Sequence, residues 1–231
     1  VIGHDRTPEV VGVLGGSFDP VHDGHLYIAH EARRWLGLSR VLLMPAAAPP
    51  HKDADELSPA RHREAMLTLA LHGQEGLELS LRELETGRVC YTIDTLRGIR
   101  TGPPARLPVF VLGTDSLQQL TTWLSWRDLI HEFDLALIDR VGADARPEHD
   151  LDPAVAARIV DLDADPETED LARTRVGRGG RIFRVPAPPL PISSSAIRAR
   201  VRTGGDLGGL VPPSVARYIH RVGLYRQEPG H

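Results

Sequence analysis

Two imidazoles three positions apart, His22 and His25, stand on either side of Gly24 in the stretch "GGSFDPVHDGHL", Gly15 to Leu26. Imidazole N–H groups suit an oxygen that gains negative charge during a reaction, and paired glycines leave backbone amides open to an approaching phosphate. The stretch follows an apolar run, Val10–Leu14, and precedes a segment of helical period from Leu26 to Leu36. It therefore reads as a turn from a strand into a helix. In that setting Gly15 and Gly16 present bare backbone to a ligand. Gly24, at or just before the helix start, adds the amides of the first turn and the positive end of the helix dipole. The predicted chemistry is stabilisation of a phosphoryl group in transfer. Two plainer readings stay open on these residues alone: half of a metal site, with only Asp19 and Asp23 nearby to complete it, or ordinary surface or capping histidines.

The elements that must position this turn follow from the hydrophobic pattern. Short apolar runs at 10–14, 41–45, 77–81, 108–113, 134–139 and 181–185 alternate with helix candidates near 25–36, 59–72, 92–99, 126–132 and 152–160. Such alternation predicts an α/β fold, a Rossmann-like open parallel sheet flanked by helices, with ligands bound beyond the carboxyl ends of the strands. The stretch 141–180, acidic and then basic and glycine-rich, reads as a surface excursion. A small C-terminal helical part, about 193–225, is predicted with Ser195 as the N-cap of its first helix and a last helix at roughly 213–221. All 231 residues read as one domain with its core at about 10–200.

Composition narrows the function classes. A formal net charge of −4 offers no global attraction to nucleic acid or an anionic membrane, so any grip on an anion must be local. The lone Cys90 excludes an internal disulfide framework and a zinc site built from cysteines. No run of 18 apolar residues occurs, and "VIGHDRTPEV" lacks a signal-peptide layout. The expectation is a soluble cytoplasmic protein; whether it forms a homo-oligomer is not readable.

Further residues carry their own chemistry. Lys52, behind two prolines, is a compact cation suited to triphosphate oxygens, or simply solvated. "ISSSAIR" sets Ser193, Ser194 and Ser195 at a helix N-terminus with Arg198 one turn later, a polyphosphate cradle or a well-capped helix. Gly113 ends a strand and Asp115 follows it, placed to accept hydrogen bonds from ribose hydroxyls or to cap a helix. Trp123, among small and polar neighbours, offers a stacking face or belongs to the core.

The motif His22-Asp23-Gly24-His25 resembles the signature of the nucleotidyltransferase superfamily marked by His-x-Gly-His. From about 11 to 225 the ordered segments "PPHK", "RHREAM" (with Arg63 and Met66), "YTIDTL", "GTDSL", "TTW" and "ISSSAIR" resemble the bacterial nicotinate mononucleotide adenylyltransferases. The resemblance implies transfer of AMP from ATP to nicotinate mononucleotide, with pyrophosphate leaving and Mg²⁺ carried by ATP. It implies that His22 and His25 bind the transferring phosphoryl group and that Lys52 and Arg198 bind the leaving pyrophosphate. Gly15, Gly16, Ser17, Phe18, Gly113, Asp115 and Ser193–Ser195 are implied in ATP binding, Thr92 and Trp123 in mononucleotide binding, and no protein metal site is implied. Three departures touch acceptor recognition or phosphate contact: Leu124 where an aromatic is common, Val141 where Pro is common, and Ser195 in place of Thr. Phosphopantetheine adenylyltransferase shares the opening motif but not "YTIDTL" or "TTW". A catalytically silent nucleotide sensor on the same scaffold is the alternative outside enzymes.

Overall fold

Seven strands, β1 (Glu9–Gly16), β2 (Arg40–Pro45), β3 (Leu77–Leu79), β4 (Arg106–Gly113), β5 (Asp134–Ile138), β6 (Ile159–Asp161) and β7 (Ile182–Val185), form one sheet in the order β3-β2-β1-β4-β5-β7-β6. Every pairing is parallel. The computed structural model describes residues 8–47, 57–138, 151–162, 172–187 and 190–226. The chain runs from β1 outward to β2 and β3, then returns to place β4 on the other side of β1. That reversal opens a crevice at the carboxyl ends of β1 and β4, the switch point where open α/β sheets bind ligands.

The strands read as nearly continuous apolar runs because helices cover both faces of the sheet. On one face Leu14, Val41, Leu43, Val109, Val111, Ala136 and Ile138 pack under the helices α1 (Asp23–Leu36) and α2 (Ala60–Leu71). On the other, Val13, Leu42, Met44, Phe110, Leu112 and Leu135 pack against Ile93, Leu96 and Ile99 of α4 (Thr92–Thr101) and Leu129 and Ile130 of α6 (Trp126–Glu132). Alternate residues of one strand thus serve two cores, as the period of the pleat requires. Two short helices, α3 (Arg82–Thr86) and α5 (Thr114–Gln118), lie between these elements.

Two expectations are corrected. The helix predicted at 152–160 is only α7 (Pro153–Ala156), capped by Asp152; the β-branched pair Ile159-Val160 then enters the sheet as β6. With it, the described parts of 141–180 are not a surface excursion, since Val155, Leu162, Ala172 and Val176 are buried. The charged composition concealed these few apolar anchors. Asp134, wholly buried, ties the stretch down by accepting the amide N–H groups of Gly177, Gly179 and Arg181 at 2.8, 3.1 and 3.0 Å. Gly179 sits at φ +82°, and a Cβ there would lie 2.5 Å from the Glu132 carbonyl oxygen, so only glycine fits.

The C-terminal part consists of α8 (Ser194–Arg202) and α9 (Pro213–Val222). Here too the sequence expectation shifts: the N-cap of α8 is Ser193, which accepts from the Ala196 amide at 3.2 Å, not Ser195. Among three consecutive serines, local propensity does not select the cap; the extended backbone of Ser193 does. Among the described residues, no helix is long and apolar enough to cross a membrane.

Candidate active site

A cavity of about 520 Å³ opens at the switch point. Its floor is the ends of β1 and β4, through Gly15, Gly16 and Gly113, and its walls bring together Ser17, His22, His25, Thr92 and Trp123. Eight residues singled out from the sequence therefore converge on one concavity although they span more than a hundred positions.

The two histidines hold each other in place. His22 is the N-cap of α1: its Nδ1 accepts the His25 amide, and the His25 Nδ1 accepts the His22 amide, both at 3.3 Å. This is a capping box made with imidazoles in place of Ser and Glu. Because each Nδ1 is an acceptor, each neutral ring carries its proton on Nε2, the tautomer that donates from the far edge. The rings stack with centroids 3.6 Å apart and planes 24° from parallel. Gly24 makes that stack possible, since a Cβ there would lie 3.0 Å from His22 Nδ1 and 3.1 Å from its Cε1. The open alternative of capping histidines is thus realised: the Nδ1 atoms cap the helix, and both residues also line the cavity. Among the described residues no group of three His, Cys, Asp or Glu is arranged to hold a metal ion.

Phe18 is not a cavity residue. Its ring is buried, packs 4.9 Å from the His25 ring, and its backbone takes φ +49°, a conformation rarely adopted by a non-glycine residue. It supports the imidazole from behind. Asp115 is exposed in the first turn of α5, while its neighbours Gly113 and Ser116 line the cavity. Ser193, Ser194, Ser195 and Arg198 do not line it either. They are fastened beside it: Ser194 Oγ donates to the Pro20 carbonyl at 2.9 Å, and Arg198 Nη1 donates to the Asp19 carbonyl at 2.8 Å. Arg198 is therefore anchored three residues from His22 while using one of its five N–H donors. Lys52 and Val141 lie outside the described residues.

At the opposite wall, α4 begins at Thr92 with its N-terminus toward the cavity. Trp123 is half-buried, its ring meeting Phe110 edge-on at 5.8 Å. Tyr91 and Leu124, the chain neighbours of Thr92 and Trp123, also line the cavity and are 44% and 51% exposed, so a ligand there would cover large apolar side chains. Glu83 of α3 supplies the only carboxylate among the described lining residues. Burial raises its pKa, opposed by the Thr95 hydroxyl that donates to it at 2.9 Å. A carboxyl group biased toward its neutral form repels an anionic ligand less.

Sequence reasoning missed the buried polar support under the wall that carries His22 and His25. Asp19, 1% exposed, accepts from the Ser58 amide at 3.0 Å and from the Tyr225 hydroxyl at 2.5 Å. Arg63, equally hidden, donates to the carbonyls of Ser58, Ser17 and Ala46 at 3.1, 3.1 and 2.8 Å. Burial lowers its pKa while Asp19 raises it. Asp19 stood in the opening motif and Arg63 in "RHREAM", but nothing local signalled that they belong to one network.

Comparison with known proteins adds three findings. A family model described as cytidylyltransferase-like matches residues 13–200. A protein of Laribacter hongkongensis named as a probable nicotinate-nucleotide adenylyltransferase is 44% identical over 220 residues, covering 94% of this chain and 95% of its own. One of the same name from Bordetella pertussis is 38% identical over 216 residues, covering 94% and 98%. The fold is that of the Plasmodium falciparum nicotinic acid mononucleotide adenylyltransferase solved as a complex with NaAD, with a TM-score of 0.68, 19% identity, and 94% and 97% of the two chains covered.

Proposed function

Since the chain belongs to the cytidylyltransferase-like family and, within it, to the nicotinate-nucleotide adenylyltransferases, we propose that it transfers the adenylyl group of ATP to nicotinate mononucleotide. An oxygen of the mononucleotide 5′-phosphate attacks the α-phosphorus, a new P–O bond forms, and the bond to the bridging oxygen breaks so that pyrophosphate leaves. The attacking phosphate is already ionised near neutral pH, so no general base is required. The protein's contribution is placement and charge stabilisation.

The observation that carries this reading is the pair of reciprocally capped imidazoles, whose tautomer puts the N–H donors at Nε2, in residues that line the same cavity as Gly15 and Gly16. His22 and His25 would meet the phosphoryl oxygens as charge grows on them. Arg198, and Lys52 by its motif, would neutralise the departing pyrophosphate. Thr92 and Trp123 would receive the pyridine ring, and Gly113 with Asp115 the adenosine. Mg²⁺ carried with ATP would offset the triphosphate's charge and, held mainly by phosphate oxygens and water, would need no protein cage.

Pyrophosphate release, measured with ATP and either nicotinate mononucleotide or phosphopantetheine, tests the reading. Release with the mononucleotide is expected. Release only with phosphopantetheine moves the chain to the other acceptor class, and no release with either leaves a nucleotide sensor.

A further inference from the structure

We propose that Tyr225 is a positioning residue for adenylyl transfer, its hydroxyl holding through Asp19 the loop that carries His22 and His25. The hydroxyl reaches Asp19 Oδ1 at 2.5 Å across 206 positions of sequence. Asp19 is the node of that loop. Its other carboxylate oxygen accepts the Ser58 amide at 3.0 Å, its carbonyl accepts Arg198, and the next carbonyl, of Pro20, accepts Ser194. The residue before it, Phe18, holds a left-handed backbone and packs on the His25 ring. A strained turn keeps its shape only when its surroundings over-determine it, and Tyr225 is one of those surroundings.

The attachment of Tyr225 differs from that of α9, the helix just before it. Helix α9 is docked by buried Val215 and Ile219, by the Tyr218 hydroxyl against His62 Nδ1 at 2.9 Å, and by Ser214 Oγ on the Leu69 carbonyl at 3.1 Å. All of these contacts go to the flank of the fold. Tyr225, beyond the helix end at Gly223, touches that flank only through Met66 Sδ at 3.9 Å and reaches in addition the loop three residues ahead of His22. Burial and the neighbouring Asp19 carboxylate push its pKa far above that of a free tyrosine, so it is a permanent donor. Removing the hydroxyl leaves α9 docked and loosens the loop.

The inference rests on the proposed reaction, and its test keeps the two apart. Tyr225→Phe and Tyr218→Phe each delete one hydroxyl from the same part of the fold. In Tyr225→Phe, kcat is expected to fall about tenfold with KM for ATP changed less than threefold, because a small misplacement of transition-state donors acts on turnover. Tyr218→Phe should keep kcat within twofold. Nitrogen-15 spectra of the imidazoles provide a readout independent of turnover: the His22 and His25 signals should move in Tyr225→Phe, and only the His62 signal in Tyr218→Phe. Unmoved His22 and His25 signals, or equal kcat losses in the two variants at equal thermal stability, would overturn the role of Tyr225. A wild-type protein that makes no dinucleotide would instead overturn the proposed reaction, and the spectra would then decide the positioning by themselves.

Discussion

The two walls of the cavity are built on opposite terms. On the phosphate wall, His22 is buried, both histidines are hydrogen-bonded to each other's backbone, and the loop beneath is pinned by Asp19, Arg63, Ser194 and Arg198. On the wall of Thr92 and Trp123, proposed to receive the acceptor, Tyr91 and Leu124 are about half exposed and Trp123 meets Phe110 edge-on. The contrast fits the role proposed for each wall. Stabilising a charge that exists for an instant requires donors fixed before the reaction begins, since reorganising them would consume the benefit. Holding a planar ring requires only surface that the ring can cover, and its selectivity can be altered residue by residue.

If that contrast is right, the largest effect belongs to the phosphate wall. His25→Ala removes one donor and one half of the capping box, and turnover is expected to fall roughly 10²–10³-fold while KM for the mononucleotide moves little. A variant that retains full turnover would show that the imidazoles are only caps. Trp123→Ala should produce the reverse pattern. Loss of a stacking face worth about 1–3 kcal/mol raises KM for the mononucleotide by roughly 5- to 150-fold and spares kcat. Steady-state kinetics with the acceptor varied distinguishes the two, and equal kcat losses on both walls would erase the distinction.

The smallest effect belongs to a site on neither wall. Glu132, bridged by Arg97 and by Arg100 at 2.5 Å, has its pKa lowered to about 2, first by the Arg97 hydrogen bond. A depressed carboxylate pKa contributes stability that is present above the unfolded value, near 4.5, and is lost as pH falls through about 2. The arginines are more than a third exposed, so solvent screening keeps the contribution at about 1 kcal/mol or less. Glu132→Gln should therefore lower the melting temperature by a few degrees at pH 6, converge on wild type at pH 2, and leave both kinetic constants unchanged. A stability difference that persists at pH 2 would assign the loss to packing instead of charge.

Much of this organisation was legible in the chain. The strand runs at 10–14, 41–45 and 108–113 lie within β1, β2 and β4, because burial on both faces makes a parallel strand a continuous apolar run. The His-x-Gly-His turn was legible because cap, glycine and helix start are neighbours in sequence. Other features were not. β6 consists of three residues in charged surroundings, and it becomes a strand only because β7 offers it a parallel edge. Ser195 lost the cap to Ser193 because the approach of the chain from Ile192 decides which hydroxyl meets a backbone N–H. Phe18, implied in ATP binding by its place in the motif, keeps its ring packed on His25 and out of the cavity lining, which the motif alone did not indicate.

Residue order alone therefore determined the alternation of strand and helix, the glycine-spaced imidazoles and the class of reaction they suit, since each depends on neighbours within a turn or two. Tertiary structure alone decided that Asp19, Arg63 and Tyr225 form one support, and that Arg198 is fastened to the loop before His22. Those contacts join elements up to 206 positions apart. A long-range polar contact leaves no periodic trace in the sequence, because it is specified by where the packed cores on the two faces of the sheet bring the chain ends together.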